Sequence, residues 1–237
     1  MVSDSIDRDC EFGDVPARAV EWLLSRGHLT SDDCSMNVAC GRGGFSRPMS
    51  RAVRVLVCMD RDRSALDVTG ARCEGGCRTE LFERDWNSYV PSRGRYDSVL
   101  ISPSYLCYSR DSLLRAETVS SRSCVVVFPT VHDYRSLRKA VLRSIGFNAS
   151  FPGFPDYRPF VEWLSDEGRD HDSTVISTDI ECPLDLFCAS LSRDCIARGA
   201  PADTVEDSVR TFAESLLSGD VVRIRFEACI VAWNVKK

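Results

Sequence analysis

The residues best suited to chemistry lie in one glycine-rich stretch, Asn37-Val38-Ala39-Cys40-Gly41-Arg42-Gly43-Gly44-Phe45, and in an acid, Asp60, 19 residues beyond Gly41. A strand pattern, Ser35 to Ala39, runs into the glycines, and a strongly apolar one, Val53 to Met59, runs into Asp60. Glycines after a strand let the backbone approach a ligand closely, because there is no Cβ to keep it away. An acid at the tip of the next strand can accept two hydrogen bonds from ribose hydroxyls. Together they predict a site for an adenosine ribose at the carboxyl ends of parallel strands. Further along, Tyr105 and Tyr108 follow a fourth strand, and His132 follows Phe128-Pro129-Thr130. His132 reads either as a substrate contact or base, or as a surface-loop histidine. His28 reads as a helix-terminus residue, and His171, between Asp170 and Asp172, as part of a solvated loop.

The elements that must position these residues alternate. Asp14-Val15-Pro16 starts an amphipathic helix that Gly27 stops. Strands follow at Ser35 to Ala39, Val53 to Met59, Thr79 to Glu83, Ser98 to Ser102 and Cys124 to Pro129, with helix-length segments between them. The last two are compact apolar runs, of the kind buried on both faces of a sheet. The segment Ser64 to Cys77 contains Gly70, Gly75 and Gly76 and predicts a truncated crossover helix. Thr174 to Ile180 and Val221 to Val235 predict a closing antiparallel hairpin, with two helices between 183 and 218. The fold class is therefore α/β, a doubly wound, mostly parallel sheet in three α/β/α layers. One domain spans 1–237, with an arm at 1–14. The aromatic, proline-rich region 147–168 reads either as a substrate cap or as a connector packed on the sheet edge.

Composition narrows the function classes. The 237 residues are 43% apolar and 27% charged, an ordinary globular balance. The net charge of −5 argues against affinity based on wholesale neutralisation of a phosphate backbone. A small-molecule substrate is the expectation. The only compact basic cluster in the sequence, Arg135, Arg138, Lys139 and Arg143, reads as a solvated helix face. Apolar runs are too short to span a membrane, and the acidic start lacks a signal-peptide pattern, so a cytoplasmic protein is expected. Twelve cysteines without an export signal read mostly as small buried hydrophobes. Cys73-x3-Cys77 and the pair Cys182 and Cys188 lack a partner cluster at zinc spacing, so no metal is expected.

On these residues the chain resembles the class I S-adenosylmethionine-dependent methyltransferases, over most of its length. Gly27-His28-Leu29, then Asn37 followed by Ala39, Gly41 and Gly43, stand where that family has a Gly-x-Leu turn, an acid and a Gly-x-Gly-x-Gly loop. The resemblance implies S-adenosylmethionine as cofactor, held by Asn37, Ala39, Cys40, Gly41 and Gly43 of the loop. It assigns Asp60, with Arg61, to the ribose, Asp85-Trp86 to the adenine, and Ser102 of Ile101-Ser102-Pro103-Ser104-Tyr105 to the methyl end. Tyr105 and His132 are the candidate catalytic residues. Val221 to Val235 resembles the antiparallel sixth and seventh strands of the family. Two positions depart from the pattern. Asn37 replaces the loop acid and forfeits its charge attraction, and Ala39 adds a methyl group where the first glycine stands. Ser102-Pro103-Ser104-Tyr105 is close to the signature of enzymes that methylate exocyclic nitrogens, but its third residue differs.

Three readings stay open at this point. The first is methyl transfer to a small molecule. The second is a methyltransferase-like binding or regulatory protein that has lost catalysis, as Asn37 and Ala39 suggest. The third is a nicotinamide-dependent oxidoreductase, since Ala39-x-Gly41-x-x-Gly44 nearly spells a dinucleotide fingerprint; the terminal hairpin argues against it.

Overall fold

The structure, a computed structural model, describes residues 11–90, 92–104, 107–147 and 153–236. The chain divides into two compact units. The larger comprises Pro16–Pro129, Phe154–Ile176 and Ala228–Lys237, and the smaller Met1–Val15, Thr130–Gly153 and Ser177–Glu227.

The larger unit begins with α1 (Val15–Ser25), β1 (Cys34–Val38), α2 (Ser46–Ser50), β2 (Val55–Asp60), α3 (Arg63–Arg72) and β3 (Arg78–Glu83). A 3-10 turn (Trp86–Ser88) leads to β4 (Tyr96–Ile101), α4 (Arg110–Val119) and β5 (Ser120–His132). The pairs β1–β2, β2–β3, β1–β4 and β4–β5 are all parallel. Beyond α5 (Asp133–Ser144) come α6 (Arg158–Asp166), β6 (His171–Pro183), α7 (Leu184–Ile196), α8 (Ala202–Glu214), β7 (Leu217–Ser218) and β8 (Val221–Asn234). The strand order is β3-β2-β1-β4-β5-β8-β6, with β7 paired to β8.

Side-chain alternation explains why the central strands read as unbroken apolar runs. Met36 and Val38, Val57 and Met59, Val99 and Ile101, and Cys124, Val126 and Phe128 form one core with Leu113, Ala116 and Val119 of α4 and Phe160 and Leu164 of α6. The intervening residues Leu56, Cys58, Leu100, Val125 and Val127 are equally buried. Both sheet faces are covered, so the few polar residues at these positions, Ser35, Asn37, Ser98 and Ser123, take their partners inside the fold.

Three expectations are corrected in detail. The sheet has eight strands rather than the seven read from the sequence, the extra one being β7, which turns into β8 through Gly219 at φ +67 and pairs antiparallel with it. The two closing runs do lie side by side, as β6 and the 14-residue β8. The second crossover helix is not truncated: α3 has ten residues, because Asp62 caps its N–H groups at Ser64 and Ala65. Its Gly70 packs on Leu81, where a Cβ would come within 3.0 Å of Cδ1. His171 opens strand β6 instead of lying in a loop.

The proline-rich region resolves into α6, with Pro159 in its first turn, where a missing N–H costs nothing. Phe160 contacts Phe128, Trp163 and Trp233 at ring-centroid distances of 5.4, 5.5 and 5.3 Å. Arg110 and Arg169 lie over the Trp163 ring at 5.5 and 4.8 Å. Residues 1–10 of the arm and 148–152 of this region lie outside the described residues.

In the smaller unit, α5 is tied to α7 by Arg138–Asp194 at 3.3 Å and by Tyr134 set edge-on to Phe187. Arg138, from the cluster read as a solvated helix face, is buried. Ten described cysteines are free thiols, eight of them buried, while Cys182 is disulfide-bonded, unlike the buried thiols expected. Among the described residues no group of three or more metal-ligating side chains could hold a metal, and no helix is long and apolar enough to cross a membrane.

Candidate nucleoside site

The site grows out of the end of β1. Ala39 has φ +52 and is the one non-glycine among the described residues in the left-handed region. Gly41 and Gly43 follow at φ +55 and +85. An L-residue there costs roughly 1–2 kcal/mol, so the turn holds its shape at Ala39 against local preference. The surroundings impose that shape. The Cys40 N–H donates to the Met59 carbonyl at 3.0 Å, and the Ser102 N–H to the Val38 carbonyl at 3.0 Å. From α3, the Thr69 hydroxyl donates to the Gly41 carbonyl at 2.8 Å and Arg72 to the Arg42 carbonyl at 3.2 Å. Gly43 is pressed against that helix, where a Cβ would lie 3.1 Å from the Thr69 Cα. Over Gly41, by contrast, a Cβ would meet nothing within 4 Å.

Asp60, at the end of β2, faces this turn. Its Oδ2 accepts the Gly41 N–H at 2.8 Å and its Oδ1 the Asp62 N–H at 3.0 Å. Each carboxylate oxygen has about two acceptor positions, so one on each remains for a ligand hydroxyl. The residues present thus fit a nucleoside: a fixed carboxylate, a backbone without side chains beside it, and open space above Gly41.

Asn37 plays a different part from the one its position suggests. It is fully buried; its Nδ2 donates to Ser46 Oγ at 2.8 Å and its Oδ1 accepts from Ser102 Oγ at 2.7 Å. The side chain joins β1, α2 and the end of β4. Ser46 and Thr69 were not among the sequence candidates. Their partners are distant along the chain, and no local pattern marks them.

The remaining predicted residues separate. Arg61 and Asp85 are exposed, and Asp85 caps the 3-10 turn by accepting the Asn87 N–H at 2.8 Å. Trp86 points into the core and donates its indole N–H to Ser112 Oγ at 2.7 Å. Tyr105 lies outside the described residues. The Tyr108 hydroxyl donates to the Val127 carbonyl at 2.6 Å. Under the turn, Cys40, Cys58 and Cys73 are all buried. A hydrogen bond with Cys40, together with burial, pushes the Cys58 thiol up to about 12. Burial, Asp60 and Asp85 push Cys107 up to about 11. Cys58 and Cys107 are therefore neutral thiols at pH 7 and poor nucleophiles.

His132 lies in the smaller unit. It ends β5 and caps α5, with Nδ1 accepting the Arg135 N–H at 3.3 Å. Its Nε2 stands 3.4 Å from Glu11 Oε1, and its ring packs edge-on to Phe12 and Phe226 at 5.7 and 5.0 Å. Burial opposes the charge on Glu11, but the hydrogen bond from His132 and the charges of Arg138 and Arg198 pull its carboxyl down to about 2. Both imidazole nitrogens are thus engaged within the fold.

The strand order with β8 between β5 and β6 departs from the dinucleotide-binding order 3-2-1-4-5-6 and is that of the Rossmann-like methyltransferase fold. No family model and no curated protein matches the sequence. Solved structures do match. A candidate methyltransferase from Bacillus halodurans is 13% identical with a TM-score of 0.58, over 92% of this chain and 99% of that one. The magnesium protoporphyrin IX methyltransferase of Synechocystis, with S-adenosylhomocysteine bound, is 13% identical with a TM-score of 0.54, over 93% and 81%. A candidate RNA methyltransferase from Pyrococcus horikoshii is 16% identical with a TM-score of 0.53, over 98% and 89%.

Proposed function

We propose that this chain transfers a methyl group from S-adenosylmethionine to an acceptor that is a small molecule. The observation that carries the reading is the Asp60 carboxylate bonded to the Gly41 N–H at 2.8 Å, beside a turn whose outward side is open. The fold, shared with a methyltransferase that binds S-adenosylhomocysteine, supports it.

When bound, the cofactor supplies a sulfonium-bound methyl carbon for in-line displacement. The chain's part is positioning. Gly41 and Gly43 let the backbone approach the nucleoside, and Asp60 accepts the ribose hydroxyls with its remaining lone pairs. Ser102, just past the end of β4 and fixed by Asn37, lines the methyl end. The Tyr108 hydroxyl donates its hydrogen bond to the Val127 carbonyl, so toward an incoming group it can act only as an acceptor. The likenesses span enzymes named for a porphyrin and for RNA, so the acceptor must be read from local residues and not from the fold.

Calorimetry with S-adenosylmethionine and S-adenosylhomocysteine tests the reading: both release heat, and Asp60→Ala weakens both. Absence of heat from the unaltered protein at high concentration overturns it. Binding without methylated product from any cell extract would leave the non-catalytic reading, and a fluorescence response to NADH the nicotinamide one.

A further inference from the structure

Of the two glycines that shape the turn, one is held by packing and the other is not. A Cβ on Gly43 would lie 3.1 Å from the Thr69 Cα, whereas one on Gly41 would meet nothing within 4 Å. Gly41, at φ +55, therefore keeps its orientation through hydrogen bonds. Its N–H donates to Asp60 Oδ2 at 2.8 Å, and its carbonyl accepts the Thr69 hydroxyl at 2.8 Å. The Cys40 thiol also approaches that carbonyl, at 3.8 Å, as a weak donor.

Thr69 runs against the local preferences of its own helix. It lies within α3 and is fully buried. A β-branched residue lowers helix propensity, and a threonine hydroxyl inside a helix ordinarily bonds back to a carbonyl of the preceding turn. The Thr69 hydroxyl instead reaches a carbonyl 28 residues away in sequence. The start of α3 is tied to the same acid. The Asp62 N–H donates to Asp60 Oδ1 at 3.0 Å, and the Asp62 carboxylate accepts the N–H groups of Ser64 and Ala65 at 2.9 and 3.3 Å. A ring closes from Asp60 to Gly41, to Thr69, along α3 to Asp62 and back to Asp60. Each Asp60 oxygen gives one acceptor position to this ring and keeps another for a ligand.

We propose that Thr69 is a positioning residue for the nucleoside: its hydroxyl sets the rotation of Gly41, and through the Gly41 N–H the direction in which Asp60 presents its remaining lone pairs. The inference rests on the nucleoside reading of the turn and adds to it a residue that touches no ligand. Without the hydroxyl only the weak thiol contact holds the Gly41 carbonyl, a glycine with no packing around it rotates at little cost, and its N–H leaves Asp60. The carboxylate is still present but no longer aimed at the ribose.

The test measures S-adenosylhomocysteine and adenosine binding by calorimetry, with urea unfolding on the same samples. Thr69→Val, which keeps the shape and removes the hydroxyl, should weaken both ligands about tenfold, the effect of one lost hydrogen bond. Thr69→Ser keeps the hydroxyl and should bind as the unaltered chain does, although the lost methyl group lowers its stability. In an Asp60→Ala background Thr69→Val should cost no further affinity, because the two act through one contact. Ser98→Ala breaks another buried pair, Ser98 with Ser35 at 2.6 Å in β4 and β1, and should lower stability alone. If Thr69→Val does not fold, Thr69→Ala, which removes the β-branch from the helix, carries the same comparison. Unchanged affinity in the variant without the hydroxyl, a loss in Thr69→Ser as large as in Thr69→Val, or an added loss on top of Asp60→Ala overturns the inference. No heat from the unaltered chain with either ligand removes the nucleoside reading itself, and the inference with it.

Discussion

The turn at Ala39 to Gly43 and His132, now paired with Glu11, were both chemical candidates in the sequence, and their surroundings are built in opposite ways. At the turn, backbone groups do the fixing: Asp60 is held by two N–H groups, and the space over Gly41 stays open. At His132 side chains do the fixing, with one ring nitrogen on a helix terminus, the other facing Glu11, and aromatic rings against the imidazole. Residue type does not separate a binding group from a structural one. What separates them is whether lone pairs and space remain after the fold has taken its share.

Four changes would break or sharpen that contrast. Asp60→Ala has the largest expected effect, since it removes the ribose acceptor and releases the Gly41 N–H. S-adenosylhomocysteine affinity should fall by about two orders of magnitude, roughly 3 kcal/mol, and a change under threefold in calorimetry would mean the carboxylate serves the loop alone.

Gly43→Ala comes next. It forces an L-residue to φ +85 against the Thr69 backbone and should cost about 2 kcal/mol in urea unfolding. Gly41→Ala meets no atoms, so its cost should be the smaller of the two, and a reversed order would contradict the packing described here.

Glu11 gives a pH signature. Its folded carboxyl, opposed by burial but lowered by His132, Arg138 and Arg198, sits near 2, below the 4.5 of a free side chain. Its contribution to stability is therefore complete above 4.5 and is lost as the pH falls toward 2. Denaturation midpoints of Glu11→Gln should be lower at neutral pH and flatter through that window, and parallel pH curves for the two proteins would show that the pair carries nothing.

The smallest change is Ala39→Gly, which relieves the left-handed strain at φ +52 and should raise stability by about 1 kcal/mol. A fall in the thermal midpoint would mean that the alanine methyl makes contacts worth more than the strain.

Much of the architecture could be read from the chain. Compact apolar runs located β2, β4 and β5 within a few residues, because strands covered on both faces have no solvent side to interrupt them. Asp60 was legible for a related reason: a strand end at a parallel edge puts its next residue beside the neighbouring turn. Strand ends at β5 and β6 extended further than expected, since their outer residues are mixed in polarity and pairing alone makes them strand. The helix α3 was underestimated because its glycines argue against helix locally, whereas Gly70 is required by the approach of Leu81.

By itself the sequence determined the alternation of elements, the turn of Asn37 to Phe45 and the acid that meets it, because these depend on neighbours within a strand or a turn. Only tertiary structure decided that Asn37 is spent on Ser46 and Ser102, 9 and 65 residues away, and that Trp86 turns inward to Ser112. Hydrogen bonds and charges act over a few ångströms in space whatever the separation along the chain. The partner that commits a polar group, or leaves it available to a ligand, is therefore written in the packing and not in the local pattern.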